Sequence, residues 1–382
     1  MSAVLAARGP RQASPSRGRF LLLAIGGLAL LAGLTGALVL LGVAAMPSAA
    51  ARFATTHGEL MTLGFLGTVV ALERAVALGR AWGYLSPALS AVGAIGLMTG
   101  LAALGGAGLI GGAAILLLVY AAFARVDRSL QMGVQAAGAG AWLGASLLLE
   151  AGVPVMSAYP WLAAFLVMTV IGERLDLARL GGLATHVRRQ LIVALWLFVI
   201  GVTAAVAWPE AGTRVAGLAM LAIAGWLARN DLARRTVRMG GVTRFIALCL
   251  LIGYAWLAVA GLAWALTGTA PGAAYDIRLH AVFLGFVISM VFGHAPVIVP
   301  AVLRVPLPYH PWNYAALVLL HAGLVIRLIG GDVLSVPDGL LVGGLLNVLA
   351  MLVFVATSVL SSATELRRRH VIEARRAAAS AA

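Results

Sequence analysis

The stretch Phe65-Leu66-Gly67-Thr68-Val69-Val70-Ala71-Leu72-Glu73-Arg74 returns 100 positions later as Phe165-Leu166-Val167-Met168-Thr169-Val170-Ile171-Gly172-Glu173-Arg174. Phe, Leu, Val, Glu and Arg stand at matching places, with no gap between the two copies. Each copy lies in an apolar run and ends in a Glu-Arg pair, so each reads as the closing turns of a membrane-spanning helix. A weaker third copy lies 221 positions beyond the first. There Leu63-Gly64-Phe65 and Val70 match Leu284-Gly285-Phe286 and Val291, and His294 takes the place of Glu73.

A bilayer span needs about 20 apolar residues, and outward from these copies such runs recur twelve times. They cover 20–46, 57–78, 86–104, 109–124, 131–149, 158–175, 190–208, 213–229, 244–267, 277–303, 313–330 and 339–361. The first follows an arginine-bearing start, as a signal peptide does. Its apolar stretch of about 27 residues is too long for a signal core of 7–15, so it reads as a retained helix. The expected fold is an all-α integral membrane protein with a twelve-helix domain over 20–361. A tail over 1–19 precedes it and a basic tail over 362–382 follows. The copies fall in the second, sixth and tenth spans, four apart, which suggests three parallel four-helix units about a pseudo-threefold axis along the membrane normal. Inverted repeats would need an odd number of spans per unit.

Composition agrees. Of 382 residues, 62% are hydrophobic and 10% charged, and the mean hydropathy is +1.02. A soluble domain carries about 25% charged residues, and a disordered chain needs low hydrophobicity; both classes are excluded. The net charge of +14 comes from 27 arginines, with no lysine, against 13 acids. Numbering the faces alternately along the twelve spans puts 23 arginines on one side. Only Arg52, Arg214, Arg278 and Arg327 lie on the other. By the positive-inside rule both termini are cytoplasmic. The charge is therefore topology and not a nucleic-acid footprint, since no basic stretch is interleaved with stacking aromatics. The run Glu365-Leu366-Arg367-Arg368-Arg369-His370 reads as an anchor at the lipid surface. Trp82, Trp161, Trp208 and Trp312 read as interfacial anchors. The lone Cys249 excludes disulfides and cysteine metal sites.

Intramembrane ionisable residues mark function by default. His57, His280, His294 and His321 qualify, whereas His186, His310 and His370 fall in cytoplasmic segments. His57 opens the second span and His280 the tenth, both at the outer face, so the two imidazoles share a layer. His294 lies 14 residues beyond His280, about 21 Å deeper at 1.5 Å per residue. There it falls level with His321 of the eleventh span. Neutral imidazole ligates haem iron and transition metals, so two pairs at two depths suit a bis-histidine haem and a second metal. The plainer reading has each histidine hydrogen-bonding a neighbouring helix. Gly58, Gly64, Gly67 and Gly285 are expected to leave room for a flat macrocycle. Arg278 is expected to pair a haem propionate or Asp276. Glu73-Arg74 and Glu173-Arg174 read either as ion pairs closing the bundle or, with His294, as a polar layer on a proton or ion path.

The start of the second span, His57-Gly58-Glu59-Leu60-Met61-Thr62-Leu63-Gly64-Phe65, and the His-x4-Gly-Phe start of the tenth, His280 to Phe286, resemble the NnrS family. Those are bacterial inner-membrane proteins with haem and copper, associated with nitric oxide metabolism. The resemblance spans the chain in topology and rests on these two motifs; the Glu-Arg pairs lie outside it and suggest a neighbouring branch. A broader similarity is to the main subunit of haem-copper oxidases, which has twelve helices in three arcs and low-spin haem ligands on helices 2 and 10. This chain lacks that family's adjacent His-His in helix 7 and its His-x-His in helix 10. Phe292-Gly293-His294-Ala295-Pro296 only faintly echoes its copper-ligand motif.

The resemblance implies an inner-membrane protein that binds haem b, and also copper, and handles a gaseous or redox ligand. His57 and His280 would be its axial ligands, with Arg278 beside the cofactor. The metal reading takes in His294 and His321 as well. The alternative is a transporter or channel using Glu73, Glu173 and His294. Against that alternative, no span carries a central charge, and only Pro296 and Pro300 interrupt the tenth.

Overall fold

A computed structural model describes residues 17–43, 48–178 and 184–381. Residues 1–16 of the expected N-terminal tail, and with them Arg8 and Arg11, lie outside the described residues, as does Arg179. The described chain is helical with no strand, and twelve of its helices are long and apolar enough to cross a membrane. They are α1 (Arg17–Leu40), α2 (His57–Leu78), α3 (Ala81–Thr99), α4 (Ala102–Ala124), α5 (Leu130–Glu150) and α6 (Val155–Leu175). The second half holds α7 (Thr185–Ala207), α8 (Pro209–Asn230), α9 (Gly241–Thr267), α10 (Ala273–Leu303), α11 (Asn313–Val333) and α12 (Gly339–Glu373).

The ends follow local chemistry more closely than the apolar runs do. α1 stops at Leu40, short of 46, because the chain turns through Gly42 at φ +71°, and a separate short helix follows over Ser48–Thr55. α3 begins and ends five residues before the expected 86–104, closing on left-handed Gly100 at φ +84°. α4, α6 and α8, short in the apolar reading, start earlier than expected, α4 by about two turns and the other two by about one turn or less. The expected boundary at 361 is no break, since the last helix continues to Ala381.

Every span packs on the next in sequence, and α12 returns to α1, so the spans close into a ring. Within it α2, α6 and α10 touch one another pairwise, and α6 and α2 are the most buried of the twelve. The three helices carrying the repeated motif thus meet one another, at positions four spans apart. Polar links on the arginine-rich side repeat this order. Arg74 on α2 reaches Gln135 on α5 (3.4 Å), and Arg174 on α6 reaches Asp231, which in turn accepts from Tyr254 on α9. Arg19 on α1 caps the Val302 carbonyl of α10 at 3.0 Å, completing the circle.

In lipid the hydrophobic effect does not hold helices together, so small residues that let backbones approach take over. α3 and α4 meet in this way: a Cβ on Gly108 would lie 2.4 Å from the Gly93 backbone nitrogen. Besides a 3-10 turn over Ala81–Tyr84 that opens α3, three described stretches take the wider π geometry. Leu60–Gly67 in α2, Ala281–Ile288 in α10 and Val325–Val333 in α11 are π-helical. The first two coincide residue for residue at the 221-position offset of the weak third copy, which strengthens the relation between α2 and α10.

Candidate functional site

The π-helical stretches lead to one end of the molecule. On the arginine-poor side, α2, α10 and α11 bring together His57, His280, Asp276, Arg327 and Asp332. Helix α1 comes close through Gly33, where a side chain would collide with Met61 Sδ at 2.7 Å. That approach sets the Gly33 carbonyl 2.7 Å from His57 Nδ1. A carbonyl only accepts, so Nδ1 carries the hydrogen and Nε2 carries the lone pair in the neutral ring. His280 is oriented in the same sense: its Nδ1 lies 3.1 Å from the Asp276 carbonyl and 2.9 Å from Asp276 Oδ1. Asp276 in turn accepts both Arg327 Nε (2.8 Å) and Nη2 (2.6 Å), a bidentate pair. Among the described residues, neither Nε2 is committed to a hydrogen bond. Each imidazole lies within electrostatic range of the other, and Arg327 is within range of His57. His57 and His280, expected to share a layer, lie on the same side of the molecule. The two are not equivalent in the repeat, however: at the 221-position offset Arg278 stands in the place of His57, and His280 in the place of Glu59.

Arg278 is elsewhere, contrary to expectation. Only 1% exposed, it donates from Nε to Tyr159 Oη (3.1 Å), from Nη1 to Thr267 Oγ1 (2.7 Å) and from Nη2 to the Ala270 carbonyl (2.6 Å). Each guanidinium nitrogen already donates to a neutral oxygen, three of the five N–H donors in all, and Asp276 pairs with Arg327 instead. In the sequence Asp276 reads only as a partner of Arg278, and Arg327 has no role beyond topology; the structure pairs the two with each other. Asp276 was legible, four residues before His280 on one helix face. Arg327 had only its rarity as a signal, one of four arginines on its side. Three of the four glycines expected to border a macrocycle serve helix packing instead. A Cβ on Gly64 would meet Ala29 and Ala94, on Gly67 the Trp142 ring, and on Gly285 the Trp256 ring; only Gly58 is open, with Val155 at 3.9 Å.

His294 and His321 do not form the expected second pair. Trp256 Nε1 donates to His321 Nδ1 at 3.0 Å, and the rings are nearly coplanar (14°) with centroids 6.5 Å apart, as an in-plane hydrogen bond requires. Nδ1 is therefore an acceptor, and Nε2 carries the hydrogen toward Ser289 Oγ (3.4 Å), whose own hydroxyl donates to the Cys249 carbonyl (2.8 Å). Both nitrogens of His321 are used, so it is a link between α9, α10 and α11 and offers no lone pair to a metal. His294 lies five residues past Ser289, about 7.5 Å further along the helix. Its Nδ1 donates to the Met290 carbonyl at 2.7 Å, and its Nε2 is buried without a partner. The charged groups near enough to act on it are Arg174, Glu73 and Asp231. Among the described residues no three His, Cys, Asp or Glu side chains are placed to hold a metal ion together.

The repeated Glu-Arg pairs converge on the arginine-rich side. Arg74, 3% exposed, bonds Glu73 and reaches Glu173 Oε1 at 3.3 Å, so two carboxyls from two inner helices share one guanidinium. Arg174 instead makes a bidentate pair with Asp231 (2.9 and 3.1 Å), which also accepts the Tyr254 hydroxyl at 2.9 Å. Glu73 and Glu173 thus share Arg74, and His294 lies within electrostatic range of Glu73. Asp231, Tyr254, Gln135 and Tyr120 were missed, each being a single polar residue in an apolar or loop context.

No curated protein and no solved structure matches the chain. A family described as a domain of unknown function (DUF8744) does match, over residues 19–363. That region holds all four intramembrane histidines and both Glu-Arg pairs, and the chain belongs to that family.

Proposed function

We propose that this protein binds a b-type haem on its arginine-poor side, with His57 and His280 as the axial ligands. One observation carries the reading. Both imidazoles have Nδ1–H tied to a fixed oxygen and Nε2 left with its lone pair, which is how protein-bound iron ligands are oriented by their outer shell. Support also comes from the π-helical turns directly beyond both histidines, since such turns frequently occur at functional sites. Haem held by these two histidines would supply one-electron redox chemistry. The residues fit this group through His57 and His280, with Arg327 in place of Arg278 as the nearby cation. They do not fit a copper ion at His294 and His321, since the His321 nitrogens are both occupied. The resemblance to the NnrS family supports a role in nitric oxide or redox handling in the bacterial inner membrane. The arginine asymmetry supports cytoplasmic termini.

The test is an absorption spectrum of the full chain purified after expression with a haem supply. A reduced b-type Soret band is expected, lost in His57→Ala and in His280→Ala and kept in His321→Ala. A folded wild-type protein without colour would overturn the proposal.

A further inference from the structure

We propose that Glu73 and Glu173 form a proton-binding pair. One proton, shared by two carboxyls from repeated positions of α2 and α6 and held beside Arg74, is the ligand of the polar layer. It is independent of the haem reading, since the glutamate pair lies on the opposite side of the molecule and only α2 carries a member of both pairs.

Charge is the first ground. Two carboxylates and one guanidinium leave one negative charge in excess, and Arg174 cannot offset it because it is already matched by Asp231. An uncompensated charge inside an apolar bundle is costly, and groups so placed neutralise instead. Geometry is the second. The Glu73 and Glu173 carboxyls both close on one nitrogen, Arg74 Nη2, which brings the two groups together. Ionised carboxylates only accept, so a direct link between two groups so placed needs a proton on one of them. The third ground is the Tyr120 hydroxyl. It is 1% exposed, has no hydrogen-bond partner, and lies within range of Arg74, Glu173 and Glu73. A buried hydroxyl without a partner is a group waiting on a ligand that can accept or donate. On the α10 side His294 Nε2 is a second buried acceptor without a partner.

The groups facing the pair come from every neighbouring element. They are Arg74 on α2, Tyr120 on α4, Gln135 on α5 and Arg174 on α6, with Asp231 and Tyr254 behind Arg174 and His294 on α10. The carboxyls themselves are about a fifth exposed (19% and 21%), so the proton can be taken up and released without unfolding the layer. Uptake is a simple balance: one proton from water converts the carboxylate pair to one acid and one carboxylate, matching Arg74.

Infrared spectroscopy of the full-length protein in lipid nanodiscs reads this directly. At neutral pH the wild type should show a carboxylic-acid C=O band that shifts in D2O and is lost at high pH. Glu73→Gln and Glu173→Gln should each remove the same component of that band, although each leaves one carboxyl in place. A lone carboxylate beside Arg74 is balanced and needs no proton. Spectra unchanged by either substitution would overturn the proposal, as would a wild type without such a band. Loss of the band on adding sodium at fixed pH would also overturn it, in favour of a metal-cation site. Tyr120→Phe, which keeps both carboxyls, should retain the band at a shifted frequency. A band left unshifted there would count against the proposal even where the glutamine variants fail to fold.

Discussion

At the scale of single residues, the buried charges follow one rule: each is held by oxygens or opposite charges placed around it. Arg174 and Asp231 are 7% and 6% exposed, bidentate, and joined by the Tyr254 hydroxyl. Such a pair contributes little over a well-packed apolar substitute, but removing one partner strands the other. Asp231→Ala is therefore expected to destabilise the protein by about 3–5 kcal/mol, measured by unfolding in detergent. The double variant Arg174→Met with Asp231→Leu should recover most of that loss; no recovery would show that the aspartate acts through something other than its ion pair. Arg278 obeys the same rule with neutral oxygens. Its confinement was not legible, because Tyr159 lies 119 positions away in sequence. The proximity of His57 and His280 was legible, because both open helices that enter from the same side.

The lesson at the scale of helices is that composition sets what a span is and close packing sets where it goes. Gly93 and Gly108 bring α3 and α4 into backbone contact, with no side chain between them to yield. Gly108→Ala would place a methyl 2.4 Å from a backbone nitrogen. Overpacking of this kind costs about 1–3 kcal/mol, and the full chain should show a correspondingly lower Tm. An unchanged Tm would mean that the two helices can part freely. Pro296 and Pro300, read in the sequence as interruptions of the tenth span, sit within an unbroken helix from Ser289 to Leu303. The π-helical turns were invisible beforehand. No residue type demands them, and they become recognisable only when the Leu60–Gly67 and Ala281–Ile288 segments are seen to share one offset.

For the whole molecule, a closed ring of twelve spans, in which α2, α6 and α10 meet one another, fixes which loops share a side. Cys249 is fully buried, so introduced cysteines report without background. Val126, 93% exposed between α4 and α5, lies on the arginine-rich side, and exposed Pro271, between α9 and α10, on the other. A membrane-impermeant maleimide is expected to label Pro271→Cys in intact cells and Val126→Cys only after permeabilisation. The reverse pattern would invert the orientation. Labelling of both from one side would refute the span count between them.

The sequence by itself determined the twelve spans, their alternation, the repeat at 100 positions and the side on which His57 and His280 fall. These depend on periodic apolar length and on arginine placement, which are properties of consecutive residues. Only the tertiary structure decided which polar atoms remain open. It committed His321 to Trp256 and Ser289, enclosed Arg278, drew Arg327 to Asp276 and set Glu73 against Glu173. The physical reason is that a hydrogen bond is satisfied or left open by whichever neighbour packing supplies, and those neighbours come from helices up to 119 residues apart.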